Sequence, residues 1–290
     1  MTLFPIVLAA VTFSFGKADA DFSYRVAQDF VEKCTPRDAG SIRGKIAANY
    51  ILDNASAVGG DVRLDRFRAK TPDGEKQFIN VIAEFKGNPN GEWVVLISHY
   101  DTKKGVDCPG ANDGASTTGL LIGLVNAFSH FRSFAPNGNL MMIWTDGEEC
   151  YRSYGENDGL WGSRHAAEML KRDGRPIKAV ICLDMLGDRD LNISLPRNTS
   201  PALRKIIHYA ARKTGNSHKV RDIKESVKDD HVPFLEAGFK AVDIIDFEYG
   251  SVPGKNDYWH TNKDTIDKIS VESLLVAGSI VTEALNVLLY

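Results

Sequence analysis

The chain has 290 residues, 43% of them hydrophobic and 25% charged, an ordinary balance for a soluble globular protein. A formal net charge of -3 leaves no electrostatic footprint for nucleic acid. No run of like charges marks a tail or a basic membrane patch.

Residues Leu3 to Phe15 are almost wholly apolar, and Ala18-Asp19-Ala20 follows as an A-x-A cleavage pattern. Residues 1–20 are therefore expected to be an export leader, placing a single catalytic domain, 21–290, in the periplasm or outside the cell. The run is too short to span a bilayer comfortably, and no span is expected in the mature chain. No Lys or Arg precedes it, however, and a buried first helix or strand would read the same way.

From Tyr24 to about Ala57, the spacing of Val26, Phe30 and Val31, then of Ile42, Ile46, Ala47 and Ile51, predicts two amphipathic helices broken at residues 35–40. Val62–Phe67 and Phe78–Phe85 read as strands around the turn Thr71-Pro72-Asp73-Gly74, and Trp93–Ser98 as a buried strand. Helices at Gly119–Phe131, Ser163–Lys171, Pro201–Thr214 and Val271–Leu289 then alternate with strands at Leu140–Thr145, Ala179–Met185 and Ala241–Ile245. The alternation predicts an α/β fold, one domain with a mostly parallel twisted central sheet and helices on both faces.

Polar residues gather where the predicted strands end: His99-Tyr100-Asp101, then Gly110-Ala111-Asn112-Asp113, Gly147-Glu148-Glu149, Leu183-Asp184, and late in the chain Trp259-His260-Thr261. Singly, each has a plain structural reading: a core histidine, turn and cap residues, surface charge. Asp184 resists it, because a carboxylate inside an apolar strand is costly unless paired or metal-bound. Together, His99, Asp113, Glu149, Asp184 and His260 offer two imidazoles and three carboxylates, a donor set for one or two catalytic zinc ions. Asp101, two residues beyond His99 on an extended chain, points the same way and is expected to orient that imidazole. The cysteines (Cys34, Cys108, Cys150 and Cys182) form no C-x-x-C motif. Cys108 and Cys150 adjoin ligand-bearing segments, and whether they pair is left open.

These motifs, in this order, resemble the M28 zinc exopeptidases, from about Val31 to near the C-terminus. Within that group the chain is similar to the glutaminyl-peptide cyclotransferases. The long segment Cys150–Trp161, the stretch Asp229-Asp230-His231-Val232-Pro233-Phe234-Leu235 and Trp259 before His260 carry that likeness. The resemblance implies Glu148 as general acid/base and zinc held by Asp113, Glu149 and His260. It also implies that Asp184 and Asp229 form an acid network, and that Trp259 and Tyr154 line the substrate pocket. The implied substrates are peptide or protein N-termini. Three departures stand out: Asn112–Ser116 has the exopeptidase wording, the loop from His99 to Asp113 is short, and Tyr154 replaces a tryptophan. Cyclisation of N-terminal glutamine with one zinc is the favoured expectation. Aminopeptidase hydrolysis, with a second zinc at His99 and Asp184, and a non-catalytic binding domain are the alternatives.

Overall fold

The computed structural model describes residues 13–130 and 137–290. Helices α1 (Lys17–Cys34) and α2 (Ile42–Ala57) lead into a hairpin, β1 (Asp61–Thr71) and β2 (Gly74–Phe85), and then β3 (Trp93–His99). After α3 (Thr117–His130) come β4 (Asn139–Thr145), α4 (Trp161–Arg172), β5 (Ile177–Asp184) and β6 (Ile193–Leu195). The chain closes with α5 (Pro201–Lys213), β7 (Val220–Asp222), α6 (His231–Glu236), β8 (Ala241–Ile245) and α7 (Val271–Leu289). Phe131, the expected end of α3, lies outside the described residues.

One sheet runs β1-β2-β4-β3-β5-β8-β6-β7. Its centre, β4-β3-β5-β8, is parallel. Toward the edges the pairing changes: β2 pairs antiparallel with both β1 and β4, and β6 meets β8 antiparallel but pairs parallel with β7. The whole sheet is therefore mixed around a parallel core. The two-residue turn that pairs Thr71 with Gly74 forces the first antiparallel pair, since parallel neighbours need a long crossover. The short elements β6, β7 and α6 were not expected from the sequence, because three to six residues are too few to display a period.

Every residue of β3 and β4 is buried, as strands covered on both faces require. Val94 and Leu96 face a large core with Phe30 of α1, Leu120 of α3 and Ile280 of α7. Val95 and Ile97 face the other way, toward Leu170 of α4 and Phe234 of α6. By length and composition α7 would cross a bilayer, but residues such as Ala277, Ile280 and Ala284 bury its apolar side within this core.

Residues 1–12 of the expected leader lie outside the described residues. Its last part is packed: Phe13 meets Phe128 edge-on at 5.3 Å and exchanges backbone hydrogen bonds with the Asn286 side chain. Phe15 lies over Gly278, and Ala20 is buried within α1. Of the apolar run itself only residues 13–15 are described, and they lie before the start of α1 at Lys17.

Helices α1 and α3 approach closely because glycines face Ser23. A Cβ at Gly119 would fall 2.4 Å from Ser23 O. Gly119→Ala is therefore expected to lower unfolding free energy by about 1–3 kcal/mol through overpacking, read as a lower melting temperature.

Candidate metal centre and pocket

Parallel strands end together, so the residues at their carboxyl ends converge. His99 ends β3, Glu148 and Glu149 follow β4, and Asp184 ends β5. Asp113 lies in the irregular turn Ala111–Ser116 before α3, Asp229 just before α6, and His260 in the connection between β8 and α7. Two glycines make the close approaches possible. Gly114, at φ 93°, leaves no room for a Cβ beside the His99 ring and Asp101 O. Gly147, at φ 82°, turns the chain against Trp161 and Phe78.

His260 Nε2 stands 2.6 Å from Glu149 Oε1 and 3.3 Å from Asp113 Oδ2. His99 Nε2 stands 3.0 Å from Asp113 Oδ1 and 3.2 Å from Asp184 Oδ1. Each triad places its donor atoms within 4.8 Å of one another, and Asp113 belongs to both. The second oxygen of Glu149 is buried, with Lys103 Nζ at 3.4 Å but no hydrogen bond. Nitrogen and carboxylate donors packed this closely fit zinc, which prefers this mixture at catalytic sites. His260 has φ 54° and Met185, next to Asp184, φ 55°. Such backbone strain in non-glycine residues clusters at functional sites.

Backbone brackets hold the ligand-bearing turns. Asp101 Oδ1 accepts hydrogen bonds from Gly147 N (2.9 Å) and Glu148 N (3.1 Å), and Oδ2 accepts one from Glu149 N (3.1 Å). Its distance to His99 Nδ1 is 3.6 Å, so it anchors the Glu148-Glu149 turn more directly than it orients the imidazole. Asp264 does the same for the other turn, accepting from Asn112 N (2.7 Å), Asp113 N (3.1 Å) and Tyr249 OH (2.8 Å). The fully buried Arg37 ties the segment after His99 to the one before Asp113, donating to Tyr100 O (2.6 Å), Pro109 O (2.8 Å) and Gly110 O (2.6 Å).

Burial sets the electrostatics. It pushes the Glu148 carboxyl well above the usual range, and Glu149, Asp229 and Asp230 add to the effect. Burial raises Asp184 to about 7 even though His99 opposes it. Burial alone would lower both histidines. Asp101, Asp113 and Asp184 outweigh it at His99, while Asp113 and Glu149 bring His260 to about 9. A buried acid beside metal donors, reluctant to stay ionised, has the properties of a proton carrier.

A cavity of about 510 Å³ opens onto these groups, within the range of small-ligand sites. Trp259 and Tyr154 both line it, as expected. Trp259 stacks on the His260 ring at 3.9 Å and leans on Phe247 at 5.2 Å. Tyr154 OH donates to Glu148 Oε1 at 2.7 Å. Asp229 lines the cavity and accepts a contact from Cys182 Sγ at 3.6 Å.

Of the site residues named from sequence, Asp113, Glu148, Glu149, Tyr154, Asp184, Asp229, Trp259 and His260 line this cavity. His99 stands behind it against Asp113 and Asp184, and Asp101 holds the Glu148-Glu149 turn. Sequence reading missed Arg37, Lys103, Asp243 and Asp264. Asp243 carried a usable signal, being a carboxylate in the apolar strand β8, and its two oxygens are buried without a hydrogen bond. The others sit in polar loops that offer none. All four cysteines are unpaired, with Cys150 Sγ accepting from Lys103 Nζ and Cys108 Sγ 3.9 Å from Asp264 Oδ2.

Fold and site together define an α/β enzyme with the zinc exopeptidase fold and a candidate metal-binding site. The chain belongs to peptidase family M28, whose sequence profile matches residues 80–285. The crystal structure of an Acidobacteriales bacterium glutaminyl cyclase is 34% identical, covering 100% of this chain and 99% of that one, with a TM-score of 0.86. The glutaminyl-peptide cyclotransferase of Drosophila melanogaster is 27% identical over 82% of this chain and 74% of its own length. That of Dictyostelium discoideum is 28% identical over 82% and 78% respectively.

An imidazole must lose its proton to bind metal. Since His260 holds its proton up to about 9, zinc affinity should rise with pH as far as that value. The slope should reach about tenfold per pH unit for each proton displaced. Chelator competition across this range checks the direction, and an affinity independent of pH would contradict it.

Proposed function

We propose that this protein is a zinc-dependent glutaminyl-peptide cyclotransferase, converting N-terminal glutamine of peptides or proteins to pyroglutamate with release of ammonia. The whole-chain likeness to the acidobacterial cyclase carries this reading, because the site chemistry itself also serves peptide hydrolysis. In the proposal Asp113, Glu149 and His260 hold one zinc. Bound there, zinc supplies Lewis-acid polarisation of the substrate's side-chain amide carbonyl.

The chain's own groups do the rest. Glu148 accepts a proton from the peptide's α-amine as that nitrogen bonds to the side-chain carbonyl carbon. It returns the proton to the departing amide nitrogen, which leaves as ammonia when its C–N bond breaks. A base that also serves as the acid needs an affinity for protons above that of a free carboxylate, which burial and neighbouring acids supply. Asp184 and Asp229 complete an acid network beside it. Tyr154 and Trp259 wall the space in which the side chain folds back, bringing nucleophile and carbonyl together. Water is not a reactant, so an apolar enclosure favours this reaction.

The shared ligand Asp113 supports a second reading. With another zinc at His99 and Asp184, the same Glu148 would deprotonate a water and the enzyme would be an aminopeptidase. Mass spectrometry of Gln-initiated and Leu-initiated peptides separates the two. Loss of one ammonia from the Gln peptide alone is expected; removal of the first residue, especially of leucine, would replace the cyclase by the aminopeptidase. Glu148→Gln should abolish either activity with zinc content unchanged, and an active variant would defeat both.

Export is part of the proposal, resting on the apolar run Leu3–Phe15. Cutting after Ala20 would strip Phe13, Phe15 and the first turn of α1 from the core. If the leader is cut as the A-x-A pattern predicts, N-terminal sequencing of an exported form reads Asp21; a chain that keeps Leu3–Phe15 would refute the leader.

A further inference from the structure

We infer that Tyr154 positions the proton carrier: its hydroxyl holds Glu148 by Oε1 and reserves the other carboxyl oxygen for the substrate. The inference rests on the reading of Glu148 as general acid/base and deepens it, giving Tyr154 a task beyond walling the pocket. The 2.7 Å bond from Tyr154 OH is the only hydrogen bond to the Glu148 carboxyl group among the described residues. Without it, a glutamate with several rotatable bonds would sample positions among the acids Asp229 and Asp230 and lose its aim.

The surrounding chain is built to hold this phenol. Asp158 collects the backbone N–H groups of Tyr151 (2.5 Å), Arg152 (2.9 Å) and Ser153 (3.0 Å), fixing the loop that presents Tyr154. Gly159 backs the ring where a Cβ would fall 2.6 Å from Tyr154 Cδ1. Lys103 and Lys228 each bring an ammonium within 5.9 Å of the ring centroid, and Lys228 also donates to Tyr154 O at 3.3 Å. Burial and the acids Glu148 and Glu149 keep the hydroxyl protonated, so it donates whether Glu148 is charged or neutral. A tryptophan of similar breadth would wall the pocket but would not carry a phenolic donor to this atom.

The test compares Tyr154→Phe and Tyr154→Ala with the wild type, on whichever of the Gln or Leu peptides the wild type converts. The wild-type product judges the cyclase reading; the variants judge Tyr154 under either reaction. Tyr154→Phe keeps the ring and removes only the donor. It should lower kcat by about ten- to a hundredfold, with KM within about twofold and zinc content and melting temperature unchanged. Tyr154→Ala should lower kcat similarly and raise KM as well. If Tyr154→Phe keeps the wild-type kcat, whether or not KM rises, the residue is only a wall and the inference fails.

Discussion

Too many carboxylates share too little water at the top of this sheet. Asp113, Glu148, Glu149, Asp184, Asp229, Asp230 and Asp243 are all buried, and His99 and His260 contact only Asp113, Glu149 and Asp184 among them. Ionised together in a low-dielectric interior they would repel strongly, so the site must find positive charge, share protons or take up a cation. Two imidazoles and Lys103 answer part of this. The close donor triads on either side of Asp113 would answer more by taking up a metal ion. The crowding also explains why the Glu148 carboxyl lies well above the usual range.

Such a cluster would scatter unless the backbone under it were rigid. Asp101 and Asp264 spend their oxygens on backbone N–H groups of the turns at 147–149 and 112–113, and Arg37 spends its donors on the carbonyls of Tyr100, Pro109 and Gly110. These three do not belong to either donor triad, yet they fix where the donors point. Beneath them, the fully buried strands β3 and β4 supply the apolar burial that offsets a polar, strained site. Stability is drawn from the middle of the sheet and function is placed at its end.

Asp184 was legible in the sequence because it interrupts an apolar run, and Asp243 was equally legible by the same logic. Glu149, Asp113 and His260 gained meaning only as an ordered set. Asp229 came from its likeness to a family stretch. Tyr154 was placed correctly at the pocket, but its bond to Glu148 could not be foreseen, since no local pattern says which atom a phenol will meet. Asp101 shows the opposite case. Alternation along a strand placed it beside His99, while the turn after β4 claimed its oxygens.

The sequence by itself determined the order of the longer helices and strands, the parallel centre of the sheet and the strand-end residues that gather at the site. Those follow from hydrophobic period and from the rule that parallel strands deliver their loops to one edge. Only the tertiary structure decided that Asp113 is shared by two triads, that Arg37 and Asp264 clamp the ligand turns, and that β6 and β7 complete the sheet. It also decided that Phe13, Phe15 and Ala20 are buried in the core. Each of these is a contact between segments far apart in the chain, set by how the layers close on one another. A local pattern records what a segment prefers, and closure alone determines what it touches.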